Sequence, residues 1–355
     1  MTSRERVMAA VAHRETDRVP LFYRDEPEVD QRLRRDLGLA TREDLLRFLQ
    51  IDFRWVAPKY VGPPLEGPGA ERRRDIWGIE YRYVPAEHGG NWEQVSWPLA
   101  KMEKPTDLDD HPWPEVEWFD FDSLDAQFRE YADYATMTGP GVASPNVMQM
   151  AHYLAGMERG MMDMVLNPDF YEAVLDRVLR FNVAYQERFF AVAGRRLDFY
   201  RVGDDYGTQR GLLLGPEQWR RSVRPWIDRL LAVPRRHGAR YYHHSCGAIR
   251  KLIPDLIEAG VDVLDPLQVK AEGMNPAELK AEFGMRLCFS GGVDEQELLP
   301  RGTPAQVKRG VRDLIRVMAP GGGFFIGPTH NFQPDIPTGN IVAMYEAARN
   351  GVNYQ

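Results

Sequence analysis

Cysteine is scarce in this chain: Cys246 and Cys288 are its only two in 355 residues. Two thiols cannot build a disulfide framework, which excludes the disulfide-stapled secreted folds and fits a reducing compartment. No apolar run comes near the ~20 residues needed to span a bilayer, so no membrane-crossing helix is expected. The opening stretch MTSRERVMAAVAHRETDRVP is charged throughout and lacks a signal-type apolar core, so the expected location is the cytoplasm. Positive charge is not in excess either. The formal net charge is -7, which argues against a general nucleic-acid surface. Short internal repeats and low-complexity tracts are missing, and the Arg72–Arg74 run reads as solvated surface.

What is present is an ordinary globular composition, 43% hydrophobic and 27% charged, with enough length for a large core. Thr2 followed by Glu5 predicts a capped first helix with Val7 and Val11 on one face. From there β-type runs alternate with helical ones. In the C-terminal half ARYYHHSCG, VDVLDPL, MRLCFSGG and GGFFIGPTHN each precede a helix, with Gly260, Pro276 and Thr303-Pro304 as helix punctuation. In the N-terminal half RVPLFYR, IDFRWVAP, GVASPN and LDFYRVGDD are four further strand candidates. Eight such units predict an α/β fold, a closed (β/α)8 TIM barrel, with residues 1–355 as one domain. Residues from about 61 to 122 break the rhythm. They predict an insertion near the barrel mouth: a β-hairpin turning at Gly89-Gly90, then a Pro- and Trp-rich loop.

Active sites of such barrels lie at the C-terminal strand ends. That places Asp204, Asp205 and Tyr206, then His244-Ser245-Cys246, Asp265, and finally His330 at rims, with Tyr23 and Arg24 at the first. Strand alternation puts Tyr242, His244 and Cys246 on one face and His243 on the other. With that face inward, His244 and Cys246 reach one point and His330 adds a third ligand from across the barrel. Three ligands and an open position are the pattern of catalytic zinc. The same residues can instead be a core histidine and a small apolar cysteine. One of Asp204 and Asp205 is expected to face the site, as cation ligand, acid, base or substrate anchor; the alternative is that the pair caps the following loop. Cys288, earlier in its strand, is expected deeper in the barrel.

The segments HSCGAIRKLIPDLIEAGVDVLDPLQ, FSGGVDEQELLPRGTPAQVKRGVRDLI and GGGFFIGPTHNFQPDIPTGNIVAMYEA, with the opening RERVMAAVAHRETDRVP, resemble the uroporphyrinogen decarboxylase superfamily. The resemblance covers most of the chain and implies a (β/α)8 barrel. The superfamily's decarboxylase branch works without metal and holds substrate carboxylates with an arginine-rich segment after the first strand. Here that place reads YRDEPEVDQRLRRD, where Asp25 and Glu26 would repel a polycarboxylate. Its corrinoid-dependent methyltransferase branch carries His-x-Cys as zinc ligands, matched by His244 and Cys246. That branch often adds a cysteine near the eighth strand, where this chain has His330.

The resemblance therefore implies a zinc-dependent methyltransferase. It would move a methyl group between a small methylated substrate or thiol and a corrinoid carried by a partner protein. Asp204, Asp205 and His330 are the catalytic candidates, and His244, Cys246 and His330 the metal ligands. Tyr23, Arg24, Trp77, Trp92, Tyr206 and Asp265 are the substrate-binding candidates. A homodimer is left open, and neither nucleic acid nor a membrane is expected as partner. The alternatives are a metal-free decarboxylase or lyase using His330 and Asp205 on a non-porphyrin acid, and a non-catalytic binding protein.

Overall fold

The computed structural model describes residues 1–65, 71–86, 89–139 and 145–350. Among these the strands are β1 Phe53–Val56, β2 Lys59–Tyr60, β3 Arg72–Arg74, β4 Glu80–Ala86, β5 Gly89–Gln94 and β6 Phe119–Asp120. They continue with β7 Ala135–Thr138, β8 Phe199–Gly203, β9 Arg240–His244, β10 Val263–Leu267, β11 Cys288–Val293 and β12 Phe324–Pro328. The fold is α/β. One curled sheet runs β1-β7-β8-β9-β10-β11-β12, and every neighbouring pair is parallel. From β7 onward these strands are buried almost throughout, as a parallel sheet covered on both faces requires. Beyond the two ends of the sheet, residues 20–22 supply further bonds. Phe22 N donates to Ile326 O, Ile326 N to Pro20 O, and Asp52 N to Leu21 O.

The first helix forms as its sequence predicts. Thr2 Oγ1 accepts from Glu5 N, and the Glu5 carboxylate accepts from Thr2 N. Its Val7, Ala10 and Val11 pack with Phe53, Ala135, Phe199, Tyr242, Val263, Cys288 and Phe325 from the strands. Most of these lie at or near the first residue of their strand, so this helix stoppers the N-terminal end of the sheet. Cys288 is fully buried there. The helix Pro304–Met318 starts at the capping box of Thr303 and Gln306 and buries Val307, Val311, Ile315 and Met318 along one face. No described helix is long and apolar enough to cross a membrane.

Two strand assignments differ from the sequence reading. RVPLFYR forms no strand and makes only the isolated parallel bridge of Leu21 with Ile326. The strand after Phe53–Val56 in the parallel sheet is Ala135–Thr138, aligned with it residue for residue, and not GVASPN. Residues 141–144 lie outside the described residues, and Pro145 and Asn146 carry no strand. A four-residue Ala-Thr-Met-Thr strand has too little alternation to stand out as periodicity.

The insertion does hold an antiparallel sheet, β3-β4-β5. Residues 87–88 lie outside the described residues. Gly89 and Gly90 are already paired with Ala86 and Pro85. Gly90 is there for close approach: a Cβ on it would lie 2.4 Å from the Tyr83 ring. Tyr83 donates its hydroxyl to Glu28 Oε1 at 2.5 Å, and Gly90 N donates to Glu28 Oε2 at 3.3 Å. The hairpin thus rests on the segment that follows residues 20–25.

Candidate functional site

Strand β9 sorts its side chains by alternation. Tyr241 and His243 face the helical layer, where the two groups bond at 2.7 Å and the His243 ring stacks on Tyr206. Burial pushes His243 down to about 3, so it stays neutral. Tyr242 and His244 face the other way. Tyr242 donates its hydroxyl to Ser290 Oγ at 2.7 Å, inside the sheet's concave face. Past the strand the chain turns sharply at Gly247, which has φ 93° and lies so close to Gly207 that a Cβ would meet it at 2.5 Å. That turn leaves Cys246 beside His244.

The loop two residues beyond β12 brings in His330, whose ring centre lies 5.8 Å from that of His244. One ligand atom from each of His244, Cys246 and His330 lies within 4.8 Å of the other two. The spacing can be tested against a metal. Zinc bonds of about 2.0–2.1 Å to nitrogen and about 2.3 Å to sulfur, at a tetrahedral angle, separate the two donors by about 3.6 Å. His244 Nε2 and Cys246 Sγ are 3.5 Å apart. This pair already has the spacing of two ligands of a tetrahedral cation, and the His330 donor lies within 4.8 Å of both.

Electrostatics point the same way. Burial, then the nearby Arg24, lowers His244, and burial pushes His330 down to about 3, so both imidazoles are neutral and able to ligate. Burial and the Asp205 charge raise the Cys246 thiol well above its usual range. It stays protonated unless a cation takes the proton's place.

Behind His244 sits Asp265, in register with it on the adjacent strand and 1% exposed. Its Oδ2 is 2.8 Å from His244 Nδ1 and 2.8 Å from Arg24 Nη1. Burial alone would raise this carboxyl, but the Arg24 charge and the His244 hydrogen bond outweigh it and hold it well below the usual carboxylate range. Arg24 Nε donates to Asn331 Oδ1 at 2.7 Å, the residue next to His330.

The adjacent acids divide their work. Asp204 is fully buried and accepts from the backbone N–H groups of Val147, Met148 and Gln149 and from the Tyr206 hydroxyl. It anchors the start of the helix Met148–Ala155 and is turned away from the cluster. Burial outweighs these four bonds and lifts Asp204 to about 7. Asp205 faces the cluster. Its Oδ1 accepts from Cys246 N at 2.8 Å and lies 3.7 Å from His244 Nε2, and its Oδ2 accepts from Gln149 Nε2. Burial raises it, and the bonds from Cys246 N and Gln149 oppose that rise.

Four residues expected to touch substrate are placed elsewhere. Tyr23 is 2% exposed and donates to Asp25. Tyr206 is a core ring between His243 and Trp219. Trp77 is buried edge-on against Trp113 and against Phe181 of the helix Pro168–Ala193. Trp92 lies against Tyr83 and under Arg73 on the hairpin. Tyr23, Tyr206 and Trp77 are core side chains, and Trp92 is half-buried.

Sequence reasoning missed Arg201 and Glu295. Arg201 follows Phe199 by two positions, so alternation could have placed it inward. Its Nη2 is 4.0 Å from Asp265 Oδ2, and burial, then Arg24, pushes it down to about 10. Glu295 lies after β11, bonded to the backbone of His330, and burial lifts it to about 8. Nothing in its local sequence separates it from a surface acid.

Residues 128–351 match the sequence family described as Uroporphyrinogen decarboxylase (URO-D). No curated protein matches the chain. Among solved structures, a methyltransferase from Methanosarcina mazei superposes with a TM-score of 0.65 over 98% of each chain, at 17% identity. At that identity the likeness is one of fold.

Proposed function

Because the chain belongs to the uroporphyrinogen decarboxylase family, we propose that it is that family's zinc-using kind of enzyme. In this reading it is a methyltransferase that moves a methyl group between a small substrate or thiol and a corrinoid on a partner protein. The observation that carries the reading is the convergence of His244, Cys246 and His330 from two separate strand ends on one point. A metal-free acid–base site has no need of a thiol 3.5 Å from an imidazole nitrogen. The similarity in fold to a methyltransferase agrees with it. So does the engagement of Arg24 with Asp265 and Asn331 rather than with an arginine-rich carboxylate tray.

In this proposal the three side chains hold zinc and leave one position open. Bound there, zinc supplies a Lewis acid that polarises a substrate heteroatom. Asp205, with Oδ1 beside His244 Nε2, would take the proton that an acceptor thiol gives up, or orient the substrate. Gln149 and the Cys246 backbone N–H keep that carboxylate aimed. Residues 20–22 serve as the eighth stave closing a (β/α)8 barrel, and the 72–94 sheet shades its mouth. The enzyme would work in the cytoplasm.

The test is metal analysis of protein purified without added zinc. About one equivalent is expected, lost in His244→Ala. Less than about a tenth of an equivalent, unchanged by His244→Ala, refutes the zinc reading and favours the decarboxylase or lyase.

A further inference from the structure

The contacts around His244 Nδ1 contain an ambiguity that can be resolved by chemistry. A carboxylate oxygen, Asp265 Oδ2, is 2.8 Å away, and a guanidinium nitrogen, Arg24 Nη1, is 3.0 Å away. Guanidinium offers only donors, and an ionised carboxylate only acceptors. If Nδ1 carried a lone pair, it would meet the Asp265 lone pairs at 2.8 Å with nothing between them. If Nδ1 carries hydrogen, it donates to Asp265. The Arg24 nitrogen has two hydrogens, so it can give one to the same oxygen and turn the other aside. The protonated Nδ1 is the arrangement without a clash.

We propose that Asp265 and Arg24 are positioning residues that lock His244 as its Nδ1–H tautomer and so aim a bare Nε2 at Cys246 and His330. Asp265 does this directly. It is held on the adjacent strand in register with His244, and its backbone carbonyl accepts from Ser245 N at 2.7 Å. Arg24 acts on both histidines at once. Nη1 fixes the partner of His244, while Nε fixes Asn331, one residue from His330. Asn331 is itself held by donating to Glu26 at 2.8 Å. One guanidinium therefore sets the separation of two donors that come from different strand ends. Arg24 is in this account a clamp rather than a substrate contact, and Asp265 neither a metal ligand nor a substrate anchor. Carboxylate–histidine–metal arrangements use the same logic, and removing the outer group typically costs ~10–100-fold in metal affinity.

The inference rests on the metal reading for its purpose, but its first test does not. Long-range proton–nitrogen correlation spectra of metal-free, histidine-labelled protein report which ring nitrogen carries the proton. The wild type should show His244 protonated at Nδ1. Asp265→Ala should move it toward the Nε2–H form that free imidazole prefers, and Asp265→Asn should do so in part. Competition with a chromophoric zinc chelator should then give zinc affinity lower by about 10–100-fold in Asp265→Ala. Arg24→Gln, which keeps side-chain bulk, should lose about 10-fold, and it serves if Asp265→Ala does not fold. An Nε2–H His244 in the wild type overturns the proposal. So does unchanged zinc affinity in both variants with only a lower melting temperature. Failure of the wild type to bind zinc would sink the methyltransferase reading while leaving the tautomer result standing.

Discussion

Zinc affinity should rise with pH along a line of slope one, and the structure says why the slope is one and not three. A ligand must be deprotonated before it binds. An ordinary imidazole, with a pKa near ~6.5, would give up a proton to zinc below that pH, so two of them and a thiol would release up to three. Here His330 is pushed down to about 3 by burial, and His244 is lowered by burial and Arg24. Both are therefore neutral at and above neutral pH, with no proton to lose. Cys246 has one throughout, because burial and Asp205 hold the thiol up. One proton leaves per zinc, so acid weakens binding and base strengthens it. Affinity should increase about tenfold per pH unit, about 1.4 kcal/mol, or roughly 100-fold between about pH 6.5 and 8.5. Chelator competition across that range measures it, and titration calorimetry in buffers of different ionisation enthalpy counts the proton independently. Cys246→Ser should bind more weakly with a nearly flat profile. A wild-type slope of two or three in that range, or the same slope in Cys246→Ser, would refute the reasoning.

Two further outcomes follow from the same geometry. His243→Ala should cost about 2 kcal/mol of stability, since a fully buried, stacked ring is lost, yet keep its zinc. His244→Ala should do the reverse, losing zinc with little change in melting temperature. Asp204→Ala should destabilise by about 3 kcal/mol in chemical denaturation, because it strands the N–H groups of three consecutive residues. Zinc stoichiometry should stay near that of the wild type; a zinc-free but stably folded variant would contradict the assignment of Asp204 to the helix start.

Much of the site could be read from strand alternation alone. The face carrying His244 and not His243 follows from counting along ARYYHHSC, and Cys288 belongs deeper because it comes earlier in its strand. The loop ends supplied His330. Alternation fails one layer out, where side chains meet by tertiary packing. Asp265 looks like any rim acid until the register of β9 and β10 sets it behind His244. Asp204 and Asp205 are chemically identical in sequence, and only the approach of residues 147–149 makes the first a helix anchor. Tyr23, Tyr206 and Trp77 sit near predicted rims or in the predicted insertion, yet each fills a core gap. Arg24 and Asn331 are 307 positions apart, a pairing no local pattern announces. Strand β7 was lost for a different reason, since four residues of Ala, Thr and Met carry no period.

The central claim is that His244, Cys246 and His330 share one ion. It is tested most directly by an anomalous difference map at the zinc edge, from crystals of protein purified without added metal. A single peak about 2.0–2.1 Å from each imidazole nitrogen and about 2.3 Å from the Cys246 sulfur is the predicted result. No peak at this cluster, or zinc bound with His330 turned away from it, would contradict the account.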